Sequence, residues 1–92
     1  MKIEQIAYAA GKLVWGMVTD KSFAALLKGG KIVISDTGGI HFCLYNRTTG
    51  LLVGKTDSIE VRGLWELYKS VKEEILKIDE IQTEVLSELE SL

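Results

Sequence analysis

Residues 57–92 read DSIEVRGLWELYKSVKEEILKIDEIQTEVLSELESL, and this stretch decides the fold that the sequence predicts. It contains no proline, and its one glycine is Gly63. Apolar residues recur at alternating steps of four and three, and Gln82 alone breaks the series: Leu64, Tyr68, Val71, Ile75, Ile78, Val85, Leu89 and Leu92. A heptad pattern of about four repeats predicts one long amphipathic helix over 57–92. Asp57 or Ser58 is expected to cap it, with Glu60 completing a capping box.

Such a helix is longer than the domain that carries it. About 34 helical residues span about 50 Å, whereas a compact chain of this size is roughly 30 Å across. We therefore expect the overhanging apolar face to be covered by a second copy or by a partner's helix. The predicted interface consists of Tyr68, Ile75, Ile78, Gln82, Val85, Leu89 and Leu92. Leu76, Ile81 and Leu86 widen the face, so a helical bundle and a two-stranded coiled coil both remain open.

Composition places the chain among ordinary globular proteins. Its 92 residues are 47% hydrophobic and 26% charged, which indicates a single domain (1–92) rather than a disordered segment. The formal charge of −2 comes without a visible basic patch, so nucleic acid is not an expected partner. Neither a secretory signal nor an apolar run of about 18 residues is present, so we expect a cytoplasmic protein that does not enter membranes. The lone Cys43 excludes an internal disulfide.

Charge is distributed unevenly along the chain. Residues 1–78 contain all eleven Lys and Arg and eight of the thirteen Asp and Glu, whereas residues 79–92 contain five acids and no base. Acidic residues are unfavourable at a helix C-terminus. A protein partner with a basic surface would relieve this charge, although solubility alone also explains it.

Helices and a small sheet are predicted for residues 1–56. Ile3, Ile6, Ala7, Ala10, Leu13, Val14 and Met17 share one face of a helix over 3–18. Asp20 is expected to cap a short helix over 21–28, and Gly29-Gly30 to end it. Three strands follow, at 31–35, 40–46 and 51–55, separated by turns at 36–39 and 47–50. The predicted class is therefore α+β, in the order α-α-β-β-β-α with an antiparallel meander.

The middle strand alternates clearly. Ile40, Phe42 and Leu44 should face the helices, and His41, Cys43 and Tyr45 the other side of the sheet. Together with Trp15, those three outward residues form a candidate ligand or contact face. The predicted protomer core includes Leu64, Val71, Ile75, Phe42, Ile34 and Leu13.

Two short motifs resemble those of enzymes. Asp36-Thr37-Gly38 resembles the triplet of aspartic proteases, whose retroviral members are homodimeric β proteins; here the surrounding chain is mostly helical, and the residues suit a hairpin turn. The segment 50–56, GLLVGKT, resembles a phosphate-binding P-loop but has three residues between its glycines where the family has four. We interpret it as a strand.

His41 and Cys43 are the remaining candidates for chemistry. A zinc site requires three or four ligands, and one chain offers two, so symmetric copies would have to complete it. A Cys–His nucleophile requires a third, orienting group, and none is apparent. We therefore predict no catalytic residue, no metal and no cofactor.

The predicted order of helix, three-stranded meander and long helix is similar to the back half of roadblock-type domains, which are dimeric scaffolds that bind and regulate GTPases. The two strands that open that family are missing from the prediction. The expected function is a homo-oligomeric (dimeric or higher) protein–protein interaction module, an adaptor or inhibitor-type regulator without catalytic activity. The alternatives are a roadblock-like GTPase-regulatory scaffold and a small-ligand or nucleotide binder with a pocket between subunits.

Overall fold

The computed structural model describes residues 2–92, except for the side chain of Asp79. Within that range, the order is one helix, five strands and two helices. The elements are α1 (Lys2–Ala9), β1 (Gly16–Thr19), β2 (Ser22–Leu26), β3 (Gly30–Asp36), β4 (Ile40–Asn46), β5 (Leu52–Asp57), α2 (Leu64–Leu76) and α3 (Ile78–Glu90). The predicted α+β class is confirmed, but the number of strands and the order of elements differ from the prediction.

The strands form one antiparallel meander in which each strand pairs with its neighbours in sequence, in the order β1-β2-β3-β4-β5. Strand β4 has the predicted bounds, and the turns before and after it lie where the sequence places them. Gly38 and Gly50 have φ of 90° and 74° in those turns, a backbone conformation that other residues rarely adopt. The Asp36 carboxylate accepts the N–H of Gly38 at 3.3 Å, so a local turn accounts for the Asp-Thr-Gly triplet.

The predicted helix over 21–28 is wrong, because this segment forms β2. Phe23 and Ala25 are buried, while Ser22, Ala24 and Leu26 point to the other face. Phe23 lies opposite Ile34 and Ala25 opposite Ile32 on β3. Burial against the β-branched strand outweighs the helical preference of Ala and Leu. Asp20 therefore caps no helix, and Gly29-Gly30 belong to the β2–β3 hairpin, where Leu27 donates to the Gly30 carbonyl at 2.8 Å.

The N-terminal helix is also shorter than predicted. It ends at Ala9 and continues as a 3-10 turn over Ala10–Lys12, and the chain then extends into β1. Two glycines, Gly11 and Gly16, weaken a helix in this region by roughly 1 kcal/mol each. Val14, predicted to share the buried face, is 92% exposed, and Met17 pairs with Phe23 across the sheet.

The hydrophobic core lies between the sheet and the helices α1 and α2. Ile40 and Phe42 face it, as predicted, and Leu44 packs at its edge. Of the six predicted core residues, Ile34, Phe42, Leu64 and Val71 are buried, while Leu13 and Ile75 are half-buried against the cluster. The largest fully enclosed side chains are Phe23, Phe42, Ile32, Ile34, Ile40, Leu64 and Val61.

The single helix predicted over 57–92 is two helices joined at Lys77. This residue has φ 51° and ψ 42°, a left-handed conformation that ends α2 and precedes α3. The helical region also starts later than predicted, at Leu64. Asp57 ends β5, and its carboxylate accepts the N–H groups of Ile59 and Glu60 at 3.0 Å, which stabilises the intervening turn. The predicted capping box is not formed, since the Glu60 carboxylate instead accepts the Thr56 hydroxyl at 3.1 Å.

Candidate functional site

Helix α3 presents an apolar face to solvent. No described side chain of this helix is buried. The α3 stripe is defined here as three apolar residues at helical spacing on α3, together with Leu92 just beyond the end of the helix: Ile81, Val85, Leu89 and Leu92. Val85 is 48% exposed and Leu89 is 61% exposed. Since a contiguous apolar patch on a monomer usually marks an interaction site, the stripe is the first candidate for function.

The predicted interface residues lie in three different environments. Tyr68 is buried and Ile75 half-buried on α2, both against the protomer's own core. Ile78 is half-buried where α3 begins, and Gln82 is exposed on α3 with the residues of the α3 stripe. The molecule measures 53 × 28 × 22 Å. The 13 residues of α3 are about 20 Å long, and the long dimension of the molecule is consistent with α3 extending beyond the sheet.

A groove lies at the elbow between α2 and α3, with a volume of about 440 Å³. It is lined by Trp65, Glu66, Tyr68, Lys69, Lys72, Glu73 and Ile78. The Lys72 ammonium lies 5.9 Å from the centroid of the Tyr68 ring, within the range of a cation–π contact. This elbow groove therefore combines an aromatic floor with flanking charges.

Sequence reasoning missed the elbow groove, although a signal for it exists. Trp65, Lys69 and Lys72 recur at steps of four and three, one position after Leu64 and Tyr68 in the heptad series. They therefore form a second stripe on α2 beside the one that faces the core. A half-exposed tryptophan within that second stripe is the residue that indicates a contact surface.

The outward side of the sheet carries the other predicted contact residues. His41 lies opposite Ser35, Cys43 opposite Val33 and Tyr45 opposite Lys31, so all three point away from the core as predicted. His41 is exposed, whereas Cys43 and Tyr45 are half-buried.

The fourth predicted member of that face, Trp15, is not part of it. Its side chain packs against the core on the helical side of the sheet, and its indole N–H donates to the Ala10 carbonyl at 3.1 Å. The structure thus brings His41, Cys43 and Tyr45 together on one strand and leaves Trp15 on the opposite side of the sheet.

Tyr45 on the outward face has neighbours that shift its pKa. The neighbouring Cys43 side chain, partial burial and a hydrogen bond with Cys43 together raise the pKa of the Tyr45 hydroxyl.

A small cavity of about 190 Å³ is lined by His41, Cys43, Lys55, Thr56, Asp57 and Glu60. The carboxylates of Asp57 and Glu60 already accept the hydrogen bonds described above. Among the described side chains, no three His, Cys, Asp or Glu groups are placed to hold a metal ion.

A larger cavity on the same face lies over the end of the sheet near Gly50. Its volume is about 410 Å³, and its lining consists of Leu26, Lys31, Val33, Tyr45, Asn46, Arg47 and Gly50. The Arg47 guanidinium donates to the Leu27 carbonyl at 3.0 Å, which holds the arginine against the β2–β3 hairpin. Two bases and an aromatic ring therefore border an apolar floor.

Comparison of the chain with protein-family models, with curated proteins and with solved structures gives no match. In the part of the chain that the structure describes, no helix has the length and apolar content needed to cross a lipid bilayer. Function is therefore inferred from the geometry of the α3 stripe, the elbow groove and the outward sheet face.

Proposed function

We propose that this chain is a small homo-oligomeric protein–protein interaction module, an adaptor or inhibitor-type regulator without catalytic activity. The observation that supports it is the α3 stripe, whose four apolar residues are all exposed, with Leu92 at 100% and Val85, the least exposed, at 48%. Each buried aliphatic side chain of this size contributes about 1.5–3 kcal/mol relative to an exposed one. Covering the stripe with a second copy removes this apolar surface from water, which favours association.

The acidic character of α3 adds to the proposal. Residues 79–92 contain five acids and no base, so the face around the stripe is negatively charged. A contact surface with positively charged residues suits this helix, whether on a second copy or on another protein.

Light scattering behind size exclusion tests the proposal on the whole chain. The wild type is expected to be a dimer or larger at micromolar concentration. The double variant Val85→Ser with Leu89→Ser should be a monomer whose sheet keeps its circular dichroism signal. Glu80→Ser with Glu90→Ser places the same two serines on the polar side of α3, and this control should keep the wild-type mass. A monomeric wild type, or loss of the whole fold in the Val85/Leu89 variant, would contradict the proposal.

The second candidate function is binding of a small anionic ligand on the outward sheet face. The supporting observation is the 410 Å³ cavity beside Tyr45, whose two charged lining residues, Lys31 and Arg47, are both basic. A ligand that binds the folded state raises the melting temperature by mass action. A panel of phosphorylated and carboxylated metabolites should therefore include one that shifts the melting temperature of the wild type but not of Lys31→Gln. If no compound shifts the melting temperature, the proposed binding of an anionic ligand on the sheet is wrong.

The structure removes the topological basis of the roadblock alternative. That similarity required a helix immediately before a three-stranded meander, and the segment expected to be that helix, 21–28, is β2 within an uninterrupted meander. We therefore do not propose a GTPase-regulatory role.

A further inference from the structure

The elbow groove and the α3 stripe are two surfaces of the same protomer that both expose apolar side chains. The groove is open, about 440 Å³ in volume, and its floor is formed by Trp65, Tyr68 and Ile78. The stripe consists of three exposed aliphatic side chains on a helix of 13 residues and of Leu92, which follows that helix. Ile78 borders the groove and also begins the helix that carries the stripe, so the two surfaces are continuous within one protomer.

Charges on the groove are arranged on two sides. Lys69 and Lys72 lie on either side of Trp65 on the helical surface, at steps of four and seven from it. Glu66 and Glu73 project about 90° further round α2, away from the buried Leu64. The groove is lined by two acidic and two basic side chains, so its net charge is zero. The two lysines, however, lie next to its aromatic residues.

Charges on α3 are also placed beside its apolar face. Glu84 and Glu88 are one helical turn apart and border Ile81 and Val85. Two α3 helices lying against each other along their stripes would bring Glu84 and Glu88 of one copy close to the same residues of the other, and like charges at short distance oppose such a contact. A helix of a second copy placed in the groove instead meets Lys69 and Lys72. Charge therefore favours the groove over pairing of α3 with α3.

We propose that α3 of a second copy occupies the elbow groove, with its apolar stripe on Trp65, Tyr68 and Ile78. Glu84 and Glu88 of that helix then lie beside Lys69 and Lys72. The exchange is reciprocal, which gives a closed two-fold dimer in which each copy supplies one groove and one helix. This inference rests on the proposed homo-oligomeric function, because it names the partner and the surface that it uses.

A charge exchange between two full-length variants tests the contact. The groove variant is Lys69→Glu with Lys72→Glu, and the helix variant is Glu84→Lys with Glu88→Lys. Each variant alone places like charges in the contact, so its dimer dissociation constant should rise by at least about tenfold, roughly what the loss of one good charge pair produces. Mixed together, the two variants should form a heterodimer, because both of its contacts then pair opposite charges. Sedimentation gives the affinities, and native mass spectrometry gives the composition of the mixed species.

The control variant is Lys28→Glu with Lys55→Glu, which makes the same change of charge at two exposed lysines of the sheet region, away from the elbow groove. It should dimerise like the wild type. If this variant loses the dimer and the groove variant keeps it, the partner helix lies on the sheet and the groove proposal is overturned. The same conclusion follows if the dimer is insensitive to the groove variant but sensitive to Val85→Ser with Leu89→Ser; the homo-oligomeric function then stands without this contact. A monomeric wild type overturns both proposals.

Two further measurements leave every residue of the elbow groove unchanged, so they test the contact even if the charge variants fail to fold. In a Trp15→Phe background, Trp65 is the remaining tryptophan, and its emission should shift to shorter wavelength as the protein concentration rises through the dimer dissociation constant. Salt should weaken the dimer, since it screens the attraction between the lysines and the acidic helix. An emission maximum that ignores dimerisation, or a dimer that strengthens with salt, would show that the helices pair elsewhere.

Discussion

The Tyr68 hydroxyl donates a hydrogen bond to the backbone carbonyl of Lys21 at 3.0 Å, across 47 residues of sequence. This contact joins α2 to the turn between β1 and β2. The same ring lies 5.7 Å from the Phe23 ring, centroid to centroid, at an interplanar angle of 54°. A single residue of α2 is thus tied to the first hairpin of the sheet by one polar and one aromatic contact.

Replacing Tyr68 with Phe keeps the ring and removes the hydrogen bond. Tyr68 is 5% exposed, and the Lys21 carbonyl keeps a second hydrogen bond, from the Asp36 N–H at 3.0 Å. We therefore expect the free energy of unfolding to fall by about 0.5–1.5 kcal/mol, the net value of one hydrogen bond. Urea denaturation measures the change, and Tyr8→Phe is the control, since Tyr8 is mostly exposed. An equal effect of the two substitutions would show that the Tyr68 hydroxyl contributes nothing specific.

The same hydroxyl predicts how stability depends on pH. Burial raises the pKa of Tyr68, and the carboxylates of Asp36 and Asp20 raise it further. Above the ordinary tyrosine value of about 10, the unfolded chain therefore loses the phenol proton while the folded chain keeps it. The unfolded state then binds fewer protons, so the free energy of unfolding falls as pH rises towards the folded-state pKa; below about pH 10 the contribution is complete.

Comparison with Tyr68→Phe isolates this contribution, because the two proteins differ only in the Tyr68 hydroxyl. The difference in unfolding free energy between wild type and variant should shrink over the pH range from about 10 upwards. Urea midpoints across that range measure it. A difference that stays constant with pH would mean that Tyr68 titrates alike in the folded and unfolded chains.

The sequence predicted the secondary structure best where apolar and polar residues alternate most strictly. Strand β4 has its predicted bounds because Ile40, Phe42 and Leu44 alternate with polar or half-polar residues, a period that no helix can satisfy. Strand β2 has the same inward alternation at Phe23 and Ala25, but the neighbouring Ala and Leu residues favour a helix intrinsically. Its pairing with β3 is a tertiary contact, which a local pattern does not contain.

The break at Lys77 was hidden for a different reason. Ile75 and Ile78 continue the heptad spacing across it, and neither glycine nor proline marks it. The left-handed residue is a lysine, which has no intrinsic preference for that conformation. The sequence still predicted the exposed apolar face of α3, because that prediction used only the spacing of apolar residues within the helix. This spacing is the same whether α3 continues α2 or turns away from it at Lys77.

The sheet-facing core should respond steeply to truncation at Phe42. This side chain has no exposed surface and contacts the cluster beneath α2. Phe42→Ala is expected to cost about 3–5 kcal/mol, and the milder Ile34→Val about 0.5–1.5 kcal/mol. Val14→Ala, at a mostly exposed position, should change stability by less than about 0.5 kcal/mol. Thermal and urea unfolding provide the values, and a cost for Phe42→Ala as small as that of Val14→Ala would contradict the assigned core.

The elbow predicts opposite effects for glycine at two neighbouring positions. Lys77 has φ 51°, which costs a residue with a side chain roughly 1–2 kcal/mol and costs glycine almost nothing. Lys77→Gly should therefore be neutral or raise the free energy of unfolding by up to about 1 kcal/mol, because glycine's greater freedom in the unfolded chain offsets part of the gain. Ser70→Gly, at an exposed position inside α2, should lower it by roughly half a kcal/mol. Chemical denaturation of both variants checks the sign. If Lys77→Gly destabilises the protein as a mid-helix glycine does, α2 and α3 form one continuous helix in solution, and the elbow groove is not present.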